Sequence, residues 1–255
     1  MDVLSEPSKQ ALKEFLDFKA QQYEQPSFIT SDPISLAHQF SKKEDIEIVG
    51  FFMAILAWGN RQSIIKSGKK LLIIFGTAPH EYILNYQDGS CPSFVHRTFN
   101  QIDLNGFLLA LKAIYEKGDL EQAFSVVHSR ATLFDHICAF RERFIPHLDS
   151  RTRKHIADPK KGSAAKRLVM FLRWMVRSNQ NGVDFGLWTN IDPAQLMIPL
   201  DVHTGNIARK LGLISRSQND WKTNEELIGI LRAFDPVDPA KYDFALFGLG
   251  AFEKF

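Results

Sequence analysis

The segment that most restricts how this chain can fold runs from Asp45 to Leu72, DIEIVGFFMAILAWGNRQSIIKSGKKLL. Ile46, Val49, Phe52, Met53, Leu56 and Ala57 recur at helical spacing and form a stripe too broad to be left facing water. Gly59-Asn60 interrupts it, and a second, amphipathic run follows from Gln62 to Phe75. A buried helix, a tight turn and a helix with one wet face must therefore sit together, and the rest of the chain has to cover them.

That cover also reads as helix. Ser8 to Tyr23 carries Leu12, Phe15 and Leu16 at helical spacing, and Pro26 ends it. Ser31-Asp32-Pro33 caps a run to Phe40, Pro being tolerated in a first turn. Pro79 to Tyr86, Asp103 to Lys117, Leu120 to His128, Phe134 to Leu148 and Arg167 to Arg177 follow. Thr223 to Phe234, capped by Thr223 or Asn224, and the last stretch KYDFALFGLGAFEKF complete the set. No alternating stretch of useful length and no fixed-period repeat occurs. The expected fold is all-α, about ten helices in one unit over 1–255, with approximate lobes 45–150 and 151–255 and the N-terminal helices on the second lobe.

Composition narrows the class. With 45% hydrophobic and 24% charged residues, and 21 Phe, the chain expects a globular body with a bulky aromatic interior. A net charge of +2 excludes a globally basic protein but leaves room for a local patch. Cys91 and Cys138 lack the paired spacing of a zinc or iron–sulfur site, so no metal or cofactor is expected and a reducing compartment is. MDVLSEPSKQ has acidic residues and no apolar core, which argues against a secretory signal, and no uninterrupted run reaches bilayer length. These absences read as a cytoplasmic protein without membrane contact.

Three stretches carry candidate chemistry. In PLDVHTGNIARKLGL, Pro199 to Leu213, Asp201 stands where an N-cap carboxylate accepts from the first amides of a helix, and Gly212 is placed to close it. Asp201 reads equally as cap alone or as cap and catalyst; His203 points elsewhere and reads as a partly buried histidine making one hydrogen bond, or as a nucleic-acid contact. RTRKHIADPKKGSAAKR, Arg151 to Arg167, is the one strongly basic block: either a solvated loop or, through Lys160, Lys161, Gly162 and Ser163, a turn whose amides hold a phosphate. Trp58, Asn60 and Arg61 in the Gly59-Asn60 turn read as core and turn residues, or as a base-contacting set. Phe185 and Trp188 have the same ambiguity between core packing and stacking on a base.

Asp201, His203, Ile207, Lys210, Leu211, Gly212 and Leu213 fall on the pattern D-x-H-x-x-x-V-x-x-R-L-G-L, which resembles the helix bearing the essential aspartate in helix-hairpin-helix DNA glycosylases. Val202 and Asn206 depart from it, where a threonine and a basic residue are usual. The Trp58–Gln62 turn resembles the element that inserts side chains beside a flipped base in that superfamily, and PKKGSAA is a distant relative of its hairpin. RLVMFLRWMVR is similar to the helix with the nucleophilic lysine in the archaeal 8-oxoguanine glycosylase branch, and the register puts Arg173 on that lysine. The chain as a whole also resembles an uncharacterised bacterial protein family.

The resemblance implies a two-lobed helical fold with a cleft between the lobes, a DNA partner, and base excision by hydrolysis of the N-glycosidic bond. Asp201 is the implied catalytic carboxylate, with Lys166 and Arg173 holding phosphate or developing negative charge. A guanidinium cannot form a Schiff base, so the implied enzyme is monofunctional unless Lys166 substitutes. It carries no iron–sulfur cluster. Two other readings stand beside it: a nucleic-acid-binding module on the same scaffold that cuts nothing, and a helical small-molecule-binding protein.

Overall fold

The computed structural model describes residues 6–128, 130–253 and 255; the first five residues of the stretch MDVLSEPSKQ, read as no secretory signal, lie outside them. Among the described residues the fold is all-α: twelve α-helices, several 3₁₀ turns and one hairpin of two-residue strands. The helices are α1 (Glu6–Tyr23), α2 (Pro26–Ile29), α3 (Lys43–Leu56), α4 (Arg61–Phe75), α5 (Pro79–Leu84), α6 (Gln101–Tyr115), α7 (Leu120–Phe124), α8 (Leu133–Phe144), α9 (Lys166–Val176), α10 (Val202–Lys210), α11 (Trp221–Phe234) and α12 (Tyr242–Ala251). They gather into two units, Ile29–Asp158 and the pair Met1–Phe28 with Pro159–Phe255.

In Ile29–Asp158 the apolar segment behaves as its pattern requires. From Asp45 to Leu56 every residue of α3 is buried. Phe51 meets Phe107, Phe140 and Phe144 at ring-centroid distances of 6.0, 5.6 and 5.5 Å, so α6 and α8 provide the cover. Asn60 does more than turn the chain: its Oδ1 accepts from the Gln62 and Ser63 amides at 2.9 and 3.3 Å and caps α4.

Four local readings change. Pro33–Gln39 is a 3₁₀ run, still capped by Asp32, whose side chain accepts from the Ile34 amide at 3.1 Å. α7 stops at Phe124, short of His128, because Ser125 is extended and the β-branched Val126-Val127 pair does not continue a helix. α11 starts earlier than Thr223, at Trp221, since Asp220 takes the cap and its side chain accepts from the Thr223 amide. A short antiparallel pairing of Val95–His96 with Phe99–Asn100 adds the only strands among the described residues.

In the other unit α12 is the central rod. Its small residues set how closely neighbours approach: a Cβ on Gly248 would lie 2.0 Å from Tyr23 Cδ2 of α1, and one on Gly250 3.2 Å from Ile207 Cγ1 of α10. Trp188 is buried edge-on against Phe171 of α9 at 5.3 Å, so its core reading holds, whereas Phe185 is only half-buried.

Candidate functional site

Asp201 opens α10 from an extended backbone, and its two carboxylate oxygens do different things. Oδ1 accepts from the Thr204 amide at 2.9 Å and caps the helix. Oδ2 faces away from the cap and accepts from Lys166 Nζ at 2.7 Å. The side chain keeps 22% of its surface exposed, so it is neither sealed nor confined to its own amides. Burial acts to raise its pKa, but the Lys166 ammonium and the Thr204 amide outweigh burial and hold the carboxyl below its ordinary value. Asp201 is a preformed carboxylate at a helix N-terminus.

Lys166 is placed by an unusual entry into α9. Gly162 has φ +85° with open space where a Cβ would stand, and Ser163 forms an isolated antiparallel bridge with Asp220. Trp221 donates its amide to the Gly162 carbonyl at 3.0 Å, and the Ser163 hydroxyl accepts from the Ala165 amide at 3.2 Å. Ala165 then adopts the left-handed conformation, φ +47°, although it carries a Cβ. That geometry costs of the order of 1–2 kcal/mol and survives where surrounding contacts impose it. Here it turns the chain so that the first residue of α9 presents its amine to Asp201.

Arg173 does not share that exposure. The reading that Lys166 and Arg173 project together to hold phosphate fails for Arg173, which is 4% exposed. Its guanidinium donates to Asp184 Oδ1 and to Asp243 Oδ2, and stacks 4.4 Å over the Phe244 ring. Arg177, one turn on, holds Asp184 Oδ2 at 3.0 Å, Asp238 Oδ2 at 2.8 Å and Glu24 Oε2 at 2.9 Å. Two arginines thus face four carboxylates, and burial raises the carboxyls of both Asp184 and Asp243. Burial pushes the Asp243 carboxyl up to about 6; Arg173 opposes the rise, while Asp201 and Asp184 add to it. The surroundings of Asp201 and Asp243 thus drive their proton affinities in opposite directions.

Sequence reasoning missed Asp243, Asp184, Asp238, Glu24 and Arg177. Two signals were available. Asp243 is an acid inside the otherwise apolar YDFALFGLGA, and a charge inside an apolar helix needs a counter-ion. Arg173 sits in RLVMFLRWMV, whose other residues after Arg167 are all apolar, so its guanidinium also needs carboxylate partners.

The remaining candidates are dispersed over the two units. Lys160, Lys161, Gly162 and Ser163 are exposed and lead into α9, which starts without a side-chain cap. His203 is exposed, correcting the partly buried reading, although it shares with Ile207 the α10 face turned to Gly250 of α12. In Ile29–Asp158, Trp58 is half-buried, stacked on His155 at 5.8 Å and edge-on to His96 at 5.0 Å. Arg61 donates to Ser31 Oγ at 3.3 Å and lies 3.7 Å from Asp32. Among the described residues no group of three His, Cys, Asp or Glu side chains is placed to hold a metal, and no helix is long and apolar enough to cross a membrane. Cys91 and Cys138 are both buried and outside any disulfide.

Fold and site together define an all-α protein with a capping aspartate paired to a lysine and backed by a buried arginine–carboxylate network. The chain belongs to the family described as protein of unknown function DUF2400, whose pattern matches residues 32–252. That match takes in Lys166, Arg173, Asp201 and Asp243. No curated protein and no solved structure matches the chain.

Proposed function

We propose that this protein is a DNA-glycosylase-like enzyme that excises a base by hydrolysing its N-glycosidic bond. The observation that carries the reading is the division of labour at Asp201: one oxygen caps α10 and the other, partly exposed, is held by Lys166 at 2.7 Å. The reading includes the glycosylase-like fold and the DNA partner that the resemblance implies.

A target nucleotide must leave the stack, at a cost of a few kcal/mol, before its sugar can reach Asp201. The ionised carboxylate then stabilises positive charge growing on the sugar. The C1′–N bond breaks and its electron pair leaves with the base. A water oxygen bonds to C1′ and gives one proton to Asp201, which passes it to solvent, while the departing base anion takes a proton from solvent. Lys166 keeps Asp201 charged and supplies a cation to the neighbouring phosphate, and the uncapped start of α9 with Lys160, Lys161, Gly162 and Ser163 offers amides and ammonium groups to the same strand. Arg173 acts through Asp243, without touching substrate.

The test is release of free base from a panel of lesion-containing duplexes. Wild-type protein is expected to release base from at least one, and Asp201→Asn to lose that activity by a factor of 10² or more, the scale of general acid–base and electrostatic contributions. No release from any duplex overturns the reading. Borohydride trapping is expected to give no adduct; an adduct lost in Lys166→Gln would make Lys166 a nucleophile and add a lyase step.

A second reading, a nucleic-acid-binding module that cuts nothing, has its own support: both oxygens of Asp201 already have protein partners. Salt-dependent duplex binding without base release from any substrate is the outcome expected of it.

A further inference from the structure

We infer that the outer face of α4, extended by Arg97 at the hairpin tip, is a second contact for a nucleic-acid sugar–phosphate backbone. The inference rests on nucleic acid being the partner proposed above and adds a surface in the other unit, Ile29–Asp158.

The first observation is charge. α4 carries Arg61, Lys66, Lys69 and Lys70 and no acidic residue. The whole chain sums to +2, so everything outside this helix sums to +2 − 4 = −2. Ile64, Ser67, Gly68, Leu71 and Phe75 fill the inner face. The three lysines therefore share the outer face, and among the described residues no carboxylate pairs with them. Lys66 and Lys70 stand one turn apart, about 6 Å along the axis, a like-charge i,i+4 pair that costs a few tenths of a kcal/mol in isolation and is relieved by an external anion.

The second observation is backbone geometry. Arg97 is exposed yet held at φ +56°, one of two residues other than glycine with positive φ among those described. Its guanidinium lies across Gly59, itself at φ +99°, where a Cβ would stand 2.1 Å from Arg97 Nη1. The hairpin turn at Arg97 and the open side of Gly59 thus lay a cation beside the start of α4. The face is also rigid: a Cβ on Gly68 would meet Leu36 Cδ1 and Met53 Sδ, both at 2.4 Å, so α4 is pressed against its support. An anionic bilayer fits less well, since the apolar stripe of α4 is turned inward and only Ile73 stands out among the lysines.

The test uses the full chain and a fluorescent mixed-sequence duplex titrated over a range of salt. Lys66→Gln/Lys69→Gln/Lys70→Gln is expected to flatten the log–log salt slope by about 0.9 per lysine in contact and to weaken binding at least tenfold at low salt. Arg97→Gln is expected to flatten it by about 0.9, and carries the test if the triple variant melts early. A wild-type slope in folded variants overturns the inference alone, leaving Asp201-dependent base release untouched. Absence of duplex binding by wild type overturns both this inference and the reading it rests on. Loss of binding to phosphatidylserine-containing vesicles with duplex binding unchanged also overturns it, in favour of a lipid occupant.

Discussion

Lys166 Nζ lies 2.7 Å from Asp201 Oδ2 across 35 positions of sequence, and the two residues are each the hinge of a helix entry: Asp201 caps α10, Lys166 begins α9 after a left-handed alanine. The pair joins two helix N-termini, where positive partial charge is concentrated, with a carboxylate that both can use.

Cap and chemistry can be separated at Asp201. Asparagine keeps an oxygen for the Thr204 amide, so Asp201→Asn is expected to melt close to wild type, whereas Asp201→Ala loses the cap and about 0.5–2 kcal/mol. Urea denaturation of both variants, read beside base release, checks this. Asn as unstable as Ala would show that the Lys166 pair, more than the cap, holds the helix start.

Asp243 gives the folded protein a pH signature. Its folded-state pKa, about 6, lies above the ordinary value of 3.8, so between these the native state binds the extra proton and stability falls as pH rises, levelling off above about 6. Asp201 works oppositely: its lowered pKa contributes stability above the ordinary carboxylate range that is lost as pH falls. Asp243→Asn is expected to remove its share of the fall between pH 4 and 6, on the order of 3 kcal/mol at about 1.4 kcal/mol per pKa unit, leaving the part that the raised Asp184 carboxyl contributes, while Arg173 keeps an acceptor. Denaturation midpoints at pH 4.5 and 7.0 measure it; an unchanged difference between wild type and variant contradicts the assignment.

Asn60 separates a cap from a base-contacting residue. Asn60→Asp retains the acceptor for the Gln62 and Ser63 amides and is expected to leave the melting temperature near wild type, while Asn60→Ala costs about 1 kcal/mol. If capping is its whole role, duplex affinity follows neither change beyond the charge effect of Asp. A tenfold loss in a stable Asn60→Ala protein would instead place its side chain against nucleic acid.

What could be read from the chain itself was local. The stripe from Ile46 to Ala57 dictates a buried helix because its apolar width admits no wet face, and Asp201 and Gly212 bracket a helix because caps act within a turn or two of their own position. The same locality explains the errors. Periodicity carried α7 through Val126-Val127, and the cap of α11 was placed at Thr223 when Asp220, three residues earlier, does that work.

Only the tertiary structure decided which charges meet. Lys166 and Asp201, Arg173 and Asp243, and Arg177 and Glu24 are separated by 35, 70 and 153 positions. No periodic pattern encodes such pairings, because they follow from how whole helices pack. Arg173 shows the consequence: the same spacing that aligns it with Lys166 on one helix places it among buried residues, where two carboxylates hold it. The sequence by itself determined where helices begin and which faces turn inward, through interactions spanning a few residues. Packing decided that Asp201 would face an amine and keep part of its surface in water, because desolvation and ion pairing are set by neighbours distant in the chain.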